Sequence, residues 1–270
     1  MKMLRTVLLL LFGSVFLAQA QFDGPGSPGV SASLIRLFGT NMAFTAQVEY
    51  QLLNRSNKET VNLPMSFARL DNRIRVELDL ARMKNEVRSD ILAQFKPLGL
   101  DQIITISRPD LRVNCQVFPK LRAFVKLPMP TNEAEAFVKP GKMERTPLAQ
   151  EKMQGFTCTK YRVAAYDEQG KPHEATVWNA PDLRDFPVCI AIKEGSDTVV
   201  MRFRQVVFNR PEASKFEPPA GFEECSDMEA LKAGPATRYM VKNKTTTKAP
   251  AKSSTPATKQ KTDPAPTKKK

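Results

Sequence analysis

Histidine is almost missing from this chain: His173 is the only one in 270 residues. Cysteine is sparse too, and no two of Cys115, Cys158, Cys189 and Cys225 form a Cys-x-x-Cys pair. Metal centres draw several such ligands from short spacings, so neither a metal site nor a cofactor is expected. The sequence has no Gly-x-Ser-x-Gly elbow, no His-Glu-x-x-His helix and no glycine-rich loop to cradle phosphate. His173 stands in the polar turn Gly170-Lys171-Pro172-His173-Glu174, where solvation accounts for it better than general-base work. The carboxylate pairs Asp182/Asp185 and Glu223/Glu224 also sit in polar loop sequence. Together these absences argue against an enzyme. No apolar run reaches the roughly 20 residues that a membrane span needs, so no span is expected in the mature chain.

What is present begins with an address. Lys2 and Arg5 precede the apolar stretches Val7–Phe12 and Val15–Leu17, and Ala18-Gln19-Ala20 ends them in a small-x-small cleavage site. Residues 1–20 read as a secretory signal peptide, and the mature chain is expected to start near Gln21. The expected location is therefore outside the cytoplasm: the periplasm, or secretion. In an oxidising compartment four cysteines point to two disulfides among Cys115, Cys158, Cys189 and Cys225. If Cys158 and Cys189 lie on strands separated by one other strand, about 10 Å keeps them from pairing with each other.

The formal charge of +13 is concentrated at the C-terminus. Over Val241–Lys270, Lys242, Lys244, Lys248, Lys252, Lys259, Lys261, Lys268, Lys269 and Lys270 stand against a single acid, Asp263, giving +8 there. The signal peptide holds +2, which leaves the body at +3. From about Ala233 the composition falls to Lys, Thr, Ala, Pro and Ser, and residues 233–270 read as a disordered basic tail. Such a tail suits an anionic envelope surface, each lysine contributing ~1 kcal/mol within a Debye length. It lacks aromatic residues interleaved for base stacking, and with the exported address this disfavours nucleic acid.

Between leader (residues 21–29) and tail the dominant period is two. Met42, Phe44, Ala46, Val48, Tyr50 and Leu52 alternate with polar residues, as do Val61, Leu63, Met65 and Phe67, and then Ile74, Val76, Leu78 and Leu80. Antiparallel strands joined by short turns follow from this pattern. A short helix closed by Gly39 is expected to carry Leu34, Leu37 and Phe38, and a second covers Asn85–Lys96. Strands resume at Ile103–Ser107, Leu111–Val117 and Leu121–Leu127. Thr131–Gln150 reads mainly as a polar excursion with a short helix at Glu133–Val138. Four more strands are expected at Phe156–Tyr166, Glu174–Asn179, Pro187–Lys193 and Thr198–Phe208. Phe216–Phe222 contains two prolines and cannot run inside a sheet, and a last helix lies near Ser226–Lys232. The sum is an α+β domain, mainly antiparallel β, over residues 30–232. It has nine or ten strands in one curved sheet, with two or three helices on the concave face and a sandwich as the competing architecture.

The block Gly155-Phe156-Thr157-Cys158-Thr159-Lys160-Tyr161-Arg162-Val163, then Trp178-Asn179-Ala180, Phe186-Pro187-Val188 and Phe216-Glu217-Pro218-Pro219-Ala220-Gly221-Phe222, resemble in this order an exported bacterial family of uncharacterised domains. That family is similar in pattern to the lipoprotein carriers LolA and LolB. The resemblance implies a half-barrel with helices lidding an apolar cavity, and acyl chains or lipoproteins as cargo. The four cysteines and the polycationic tail depart from the carriers, and no functional position of theirs is matched. Candidates for lining a ligand cavity are Phe44, Val48, Tyr50, Met65, Phe67, Val76, Leu78, Val113, Val117, Met201 and Phe203. The same residues would line an ordinary core. The functional expectation is a non-catalytic envelope protein that binds an apolar or lipidic ligand such as a lipid or acyl chain. The alternative is a structural or interaction protein whose tail docks on anionic polymers.

Overall fold

The computed structural model describes residues 32–84, 88–138, 141–166 and 172–233, and the chain divides into two compact units after Lys232. The expected signal peptide, leader and, beyond Ala233, basic tail lie outside the described residues.

Twelve strands among the described residues form one open, curved sheet. They are β1 (Ala43–Leu53), β2 (Glu59–Leu70), β3 (Arg73–Asp79), β4 (Gln102–Arg108), β5 (Val113–Phe118) and β6 (Ala123–Pro128), then β7 (Met143–Met153), β8 (Phe156–Tyr166), β9 (Pro172–Ala180), β10 (Phe186–Glu194), β11 (Asp197–Val207) and β12 (Glu223–Cys225). The spatial order is β12-β6-β5-β4-β3-β2-β1-β11-β10-β9-β8-β7. The chain starts in the middle of the sheet and meanders outward to β6. It then crosses to the far edge and meanders back until β11 pairs antiparallel with β1, Tyr50 opposite Met201. Only β12 pairs parallel, on β6. The mainly antiparallel α+β class is as expected, and the single sheet replaces the sandwich.

Local chemistry accounts for the hairpin ends. Asp71 takes a left-handed conformation (φ 57°) between β2 and β3. Pro109-Asp110-Leu111-Arg112, Pro119-Lys120-Leu121-Arg122 and Pro181-Asp182-Leu183-Arg184 repeat one device at three other connections. Proline opens a single tight helical turn with its preset φ, and the arginine closes it at φ 53°, 46° and 57°.

Four short helices, α1 (Ala32–Arg36), α2 (Arg88–Phe95), α3 (Thr131–Val138) and α4 (Met228–Lys232), lie on one face, here the inner face. Leu34 and Phe38, Ile91 and Phe95, Ala134 and Phe137, and Met228 and Leu231 pack with alternate residues of the sheet in a single apolar cluster. The opposite, outer face has its own smaller cluster. Ala68, Leu70, Ile104, Ile106, Cys115, Val117 and Phe124 are covered there by a strap that follows β11, with Phe216 fully buried at its centre.

Three expectations change. The polar stretch after α3 is largely the eleven-residue strand β7. It is an edge strand exposed along most of its length, with a bulge between Pro147 and Ala149, so it lacks the apolar alternation of a half-buried strand. The second helix is described from Arg88, with Val87 outside the described residues. The two disulfides are not formed: Cys115, Cys158, Cys189 and Cys225 are buried free thiols, none at bonding distance from another. Strand β9 does separate Cys158 on β8 from Cys189 on β10. Cys115 belongs to the outer cluster and Cys225 to the inner one.

Candidate functional site: the covered inner face

The inner face has two chemically distinct parts. The first is aromatic. Phe38, one turn beyond α1, projects onto Phe44 of β1, Phe67 of β2, Phe186 of β10 and Phe203 of β11, with ring centroids 5.0, 5.6, 5.5 and 5.3 Å away. Phe44 and Phe186 meet edge to face at 4.9 Å. Contacts of this kind add about 0.5–1.5 kcal/mol per pair beyond area burial. Arg69 holds the segment in place from below. Its guanidinium donates to the carbonyls of Ile35 (3.3 Å) and Asn41 (3.2 Å) beside the end of α1 and to that of Asp71 (2.9 Å) in the β2–β3 turn. Burial pulls its pKa down to about 10, against the charge of Asp71.

The second part is polar, on β4 and β5. Register places Thr105 opposite Gln116 and Ser107 opposite Asn114. Thr105 also pairs with Val76 and Ser107 with Ile74, two inner-face residues, so all four side chains project inward. Thr105, Ser107 and Gln116 are 7%, 3% and 8% exposed. Among the polar atoms of this strip, Asn114 Oδ1 is fully buried with no hydrogen-bond partner. Helix α3 brings Glu133 to this strip, where burial raises the carboxyl pKa while the Asn114 amide opposes the rise.

A third feature lies beside the turn between β10 and β11. Burial lifts the Glu194 carboxyl to about 7, helped by Asp197, and Tyr50 is pushed above its ordinary value by burial and by Glu194.

The expected cavity residues separate by face. Phe44, Val48, Met65, Phe67, Val76, Leu78, Met201 and Phe203 belong to the inner cluster, and Tyr50 packs against it. Val113 and Val117 point the other way. Their neighbours across β4 are Arg108 and Ile104, on the outer face, where Val113 lines a groove of about 430 Å³ beneath Pro218–Phe222. The strap over that groove is pinned by Arg108, which bonds Asp110 (2.8 Å), the Phe216 carbonyl (3.3 Å) and Glu217. Phe38, Phe186 and the polar strip were not among the candidates. For Phe38 the signal was its place on the apolar face of a helix. The strip gave no signal, because Thr, Ser, Asn and Gln at alternate positions read as a wet face. His173 is exposed at the start of β9, and no group of three His, Cys, Asp or Glu among the described residues is placed to hold a metal. No helix among the described residues is long and apolar enough to cross a membrane.

No family model and no curated protein matches this chain. Among solved structures it is similar to a LolA superfamily protein from Nitrosomonas europaea, at 8% identity and TM-score 0.38, covering 70% of this chain and 96% of that one. It is also similar to the lipoprotein LppX of Mycobacterium tuberculosis, at 13% identity and TM-score 0.38, covering 67% and 96%. A putative outer membrane lipoprotein-sorting protein domain from Vibrio parahaemolyticus follows at 10% identity and TM-score 0.31, covering 73% and 94%. A LolA superfamily protein, the resemblance expected from the sequence, is thus among the solved structures this chain is similar to.

Proposed function

We propose that this protein binds an apolar or lipidic ligand, without catalysis, between the inner face of the sheet and the helices that cover it. The supporting observation is the make-up of the cover. A largely apolar face, interrupted by the polar strip on β4 and β5, is roofed among the described residues by four helices of five to eight residues from separate stretches of chain. Short elements held by a few buried side chains open locally at less free energy than a sheet interior. A chain-like ligand entering there would lie along Phe44, Val48, Met65, Phe67, Met201 and Phe203, with Phe38 moved aside. In this reading the protein works after export, and its lysine-rich tail holds it weakly on anionic envelope polymers.

Delipidated mature protein titrated with fluorescent fatty acids and phospholipids, together with native mass spectrometry of freshly isolated protein, tests the proposal. Saturable uptake or co-purified lipid is expected. Neither uptake nor lipid would leave the inner face as an ordinary filled core and overturn it.

A further inference from the structure

The polar strip is out of place in a face built to be apolar. Inward positions of β3 are Ile74, Val76 and Leu78, and those of β6 are Ala123, Val125 and Leu127. Between them β4 and β5 present Thr105, Ser107, Asn114 and Gln116. Turning polar side chains onto an otherwise apolar face is unfavourable, most clearly for the Asn114 amide oxygen, which is buried with no partner, whereas valine or leucine at the same positions would be neutral or stabilising. The strip therefore weakens the empty fold. A sequence under no other demand would fill these positions as it fills their neighbours.

The dimensions and chemistry of the strip define what would satisfy it. Opposed residues on paired strands stand about 5 Å apart, and alternate residues on one strand about 7 Å apart. The four side chains thus frame a rectangle the size of a glyceryl group. Two hydroxyls and two carboxamides offer donors and acceptors in near balance, and none carries charge. The Glu133 carboxyl stands at the strip and would repel an anionic head. Arg36 of α1 reaches helix α3. It donates to the Ala136 carbonyl (3.1 Å) and lies so close to Gly141 that any side chain there would collide with it. A phosphate or carboxylate placed on the strip would lose its hydration beside the Glu133 carboxyl.

We infer that Thr105, Ser107, Asn114 and Gln116 receive the uncharged, hydroxyl-bearing head of an amphiphile whose chain lies on the aromatic part of the same face. This rests on the proposed ligand-binding reading and narrows it to one class: single-chain neutral lipids with a glyceryl-type head. Helix α3 covers the head end, and the α1 segment with Phe38 covers the chain end.

The test uses delipidated mature protein and three ligands with the same oleoyl chain: monooleoylglycerol, oleate and the lysophosphatidate. Monooleoylglycerol is expected to bind about tenfold more tightly than either anion, the effect of one or two well-made hydrogen bonds. In Thr105→Val/Gln116→Leu that preference collapses, the affinities for monooleoylglycerol and oleate converging, and Ser107→Ala shows a smaller loss in the same direction. Circular dichroism and melting establish that each variant is folded. Equal binding of all three lipids by the wild type, or a preference that survives both variants, overturns the inference and leaves lipid binding intact, the strip then holding water only. Failure of every oleoyl ligand to bind overturns the broader reading as well.

Discussion

Strand β4 is buried on both sides, and its two sides are opposites. Outward it shows Ile104 and Ile106, packed with Cys115, Val117, Phe124 and Phe216 under the strap. Inward, beyond Ile103, it shows Thr105 and Ser107. The outer side is a dry apolar layer whose charges, Arg108 with Asp110 and Glu217 and Lys126 with Glu224, form ion pairs at its rim. The inner side keeps four polar side chains without ion pairs, and the Asn114 amide oxygen among them is buried with no partner. An apolar layer closed by a pinned strap serves stability. A face that mixes aromatic rings with polar side chains under short helices is poorly explained by stability alone.

That contrast can be broken by removing the central phenylalanine of each face. Phe216→Ala empties the outer layer and is expected to lower stability by about 3–5 kcal/mol in denaturant unfolding. No lipid should restore the loss, since the outer layer is not the proposed binding face. Phe38→Ala creates a comparable hole on the inner face and carries a similar intrinsic penalty, but here an oleoyl ligand is expected to raise the melting temperature more than it does in the wild type. If lipid rescues both variants equally, or neither, the faces do not differ in the way described. Arg69→Met sharpens the inner half of the comparison. It leaves the carbonyls of Ile35, Asn41 and Asp71 without their donor and should lose about 2–3 kcal/mol, with faster hydrogen exchange confined to the α1 segment. Exchange unchanged in that segment would mean that Arg69 does not anchor it.

Period-two patterning carried much of the sheet, because β1–β3 alternate buried and wetter residues over a sizeable part of their length. It failed in two physically distinct ways. Strand β7 alternates nothing, as both its faces meet solvent; Leu148 is 51% exposed in its middle. On β5 the alternation is real, but the strap makes the outward side apolar as well. Periodicity alone then cannot tell which side faces the helices, and Val113 and Val117 were grouped with residues they never meet. The strip at Thr105, Ser107, Asn114 and Gln116 shares that cause: polar alternate positions look solvated until the register turns them inward. Phe38 was legible as a helix-face residue, whereas its position at the centre of four rings depends on β10 and β11 returning beside β1. The cysteines were assigned to disulfides from the compartment, but pairing depends on strand order and face.

The smallest expected effect is in pH, and it has opposite sign on the two faces. On the outer side Asp110 is held below its ordinary pKa, chiefly by its hydrogen bond to Arg108. A carboxylate lowered on folding stabilises the native state above its unfolded pKa, and that contribution is lost as pH falls through the folded one. On the inner side Glu194 is raised to about 7 from 4.5, chiefly by burial. Folded protein then binds a proton that the unfolded chain has released, so stability falls as pH rises between those two values. Glu194→Gln should abolish that decline and gain about 1–2 kcal/mol over the wild type at pH 8, after allowance for partial exposure, while matching it at pH 4. Asp110→Asn should instead flatten only the acid limb. Parallel stability curves for Glu194→Gln and the wild type from pH 4 to pH 8 would show that the inner face does not bury this carboxyl, and the electrostatic half of the comparison between the faces would fall with it.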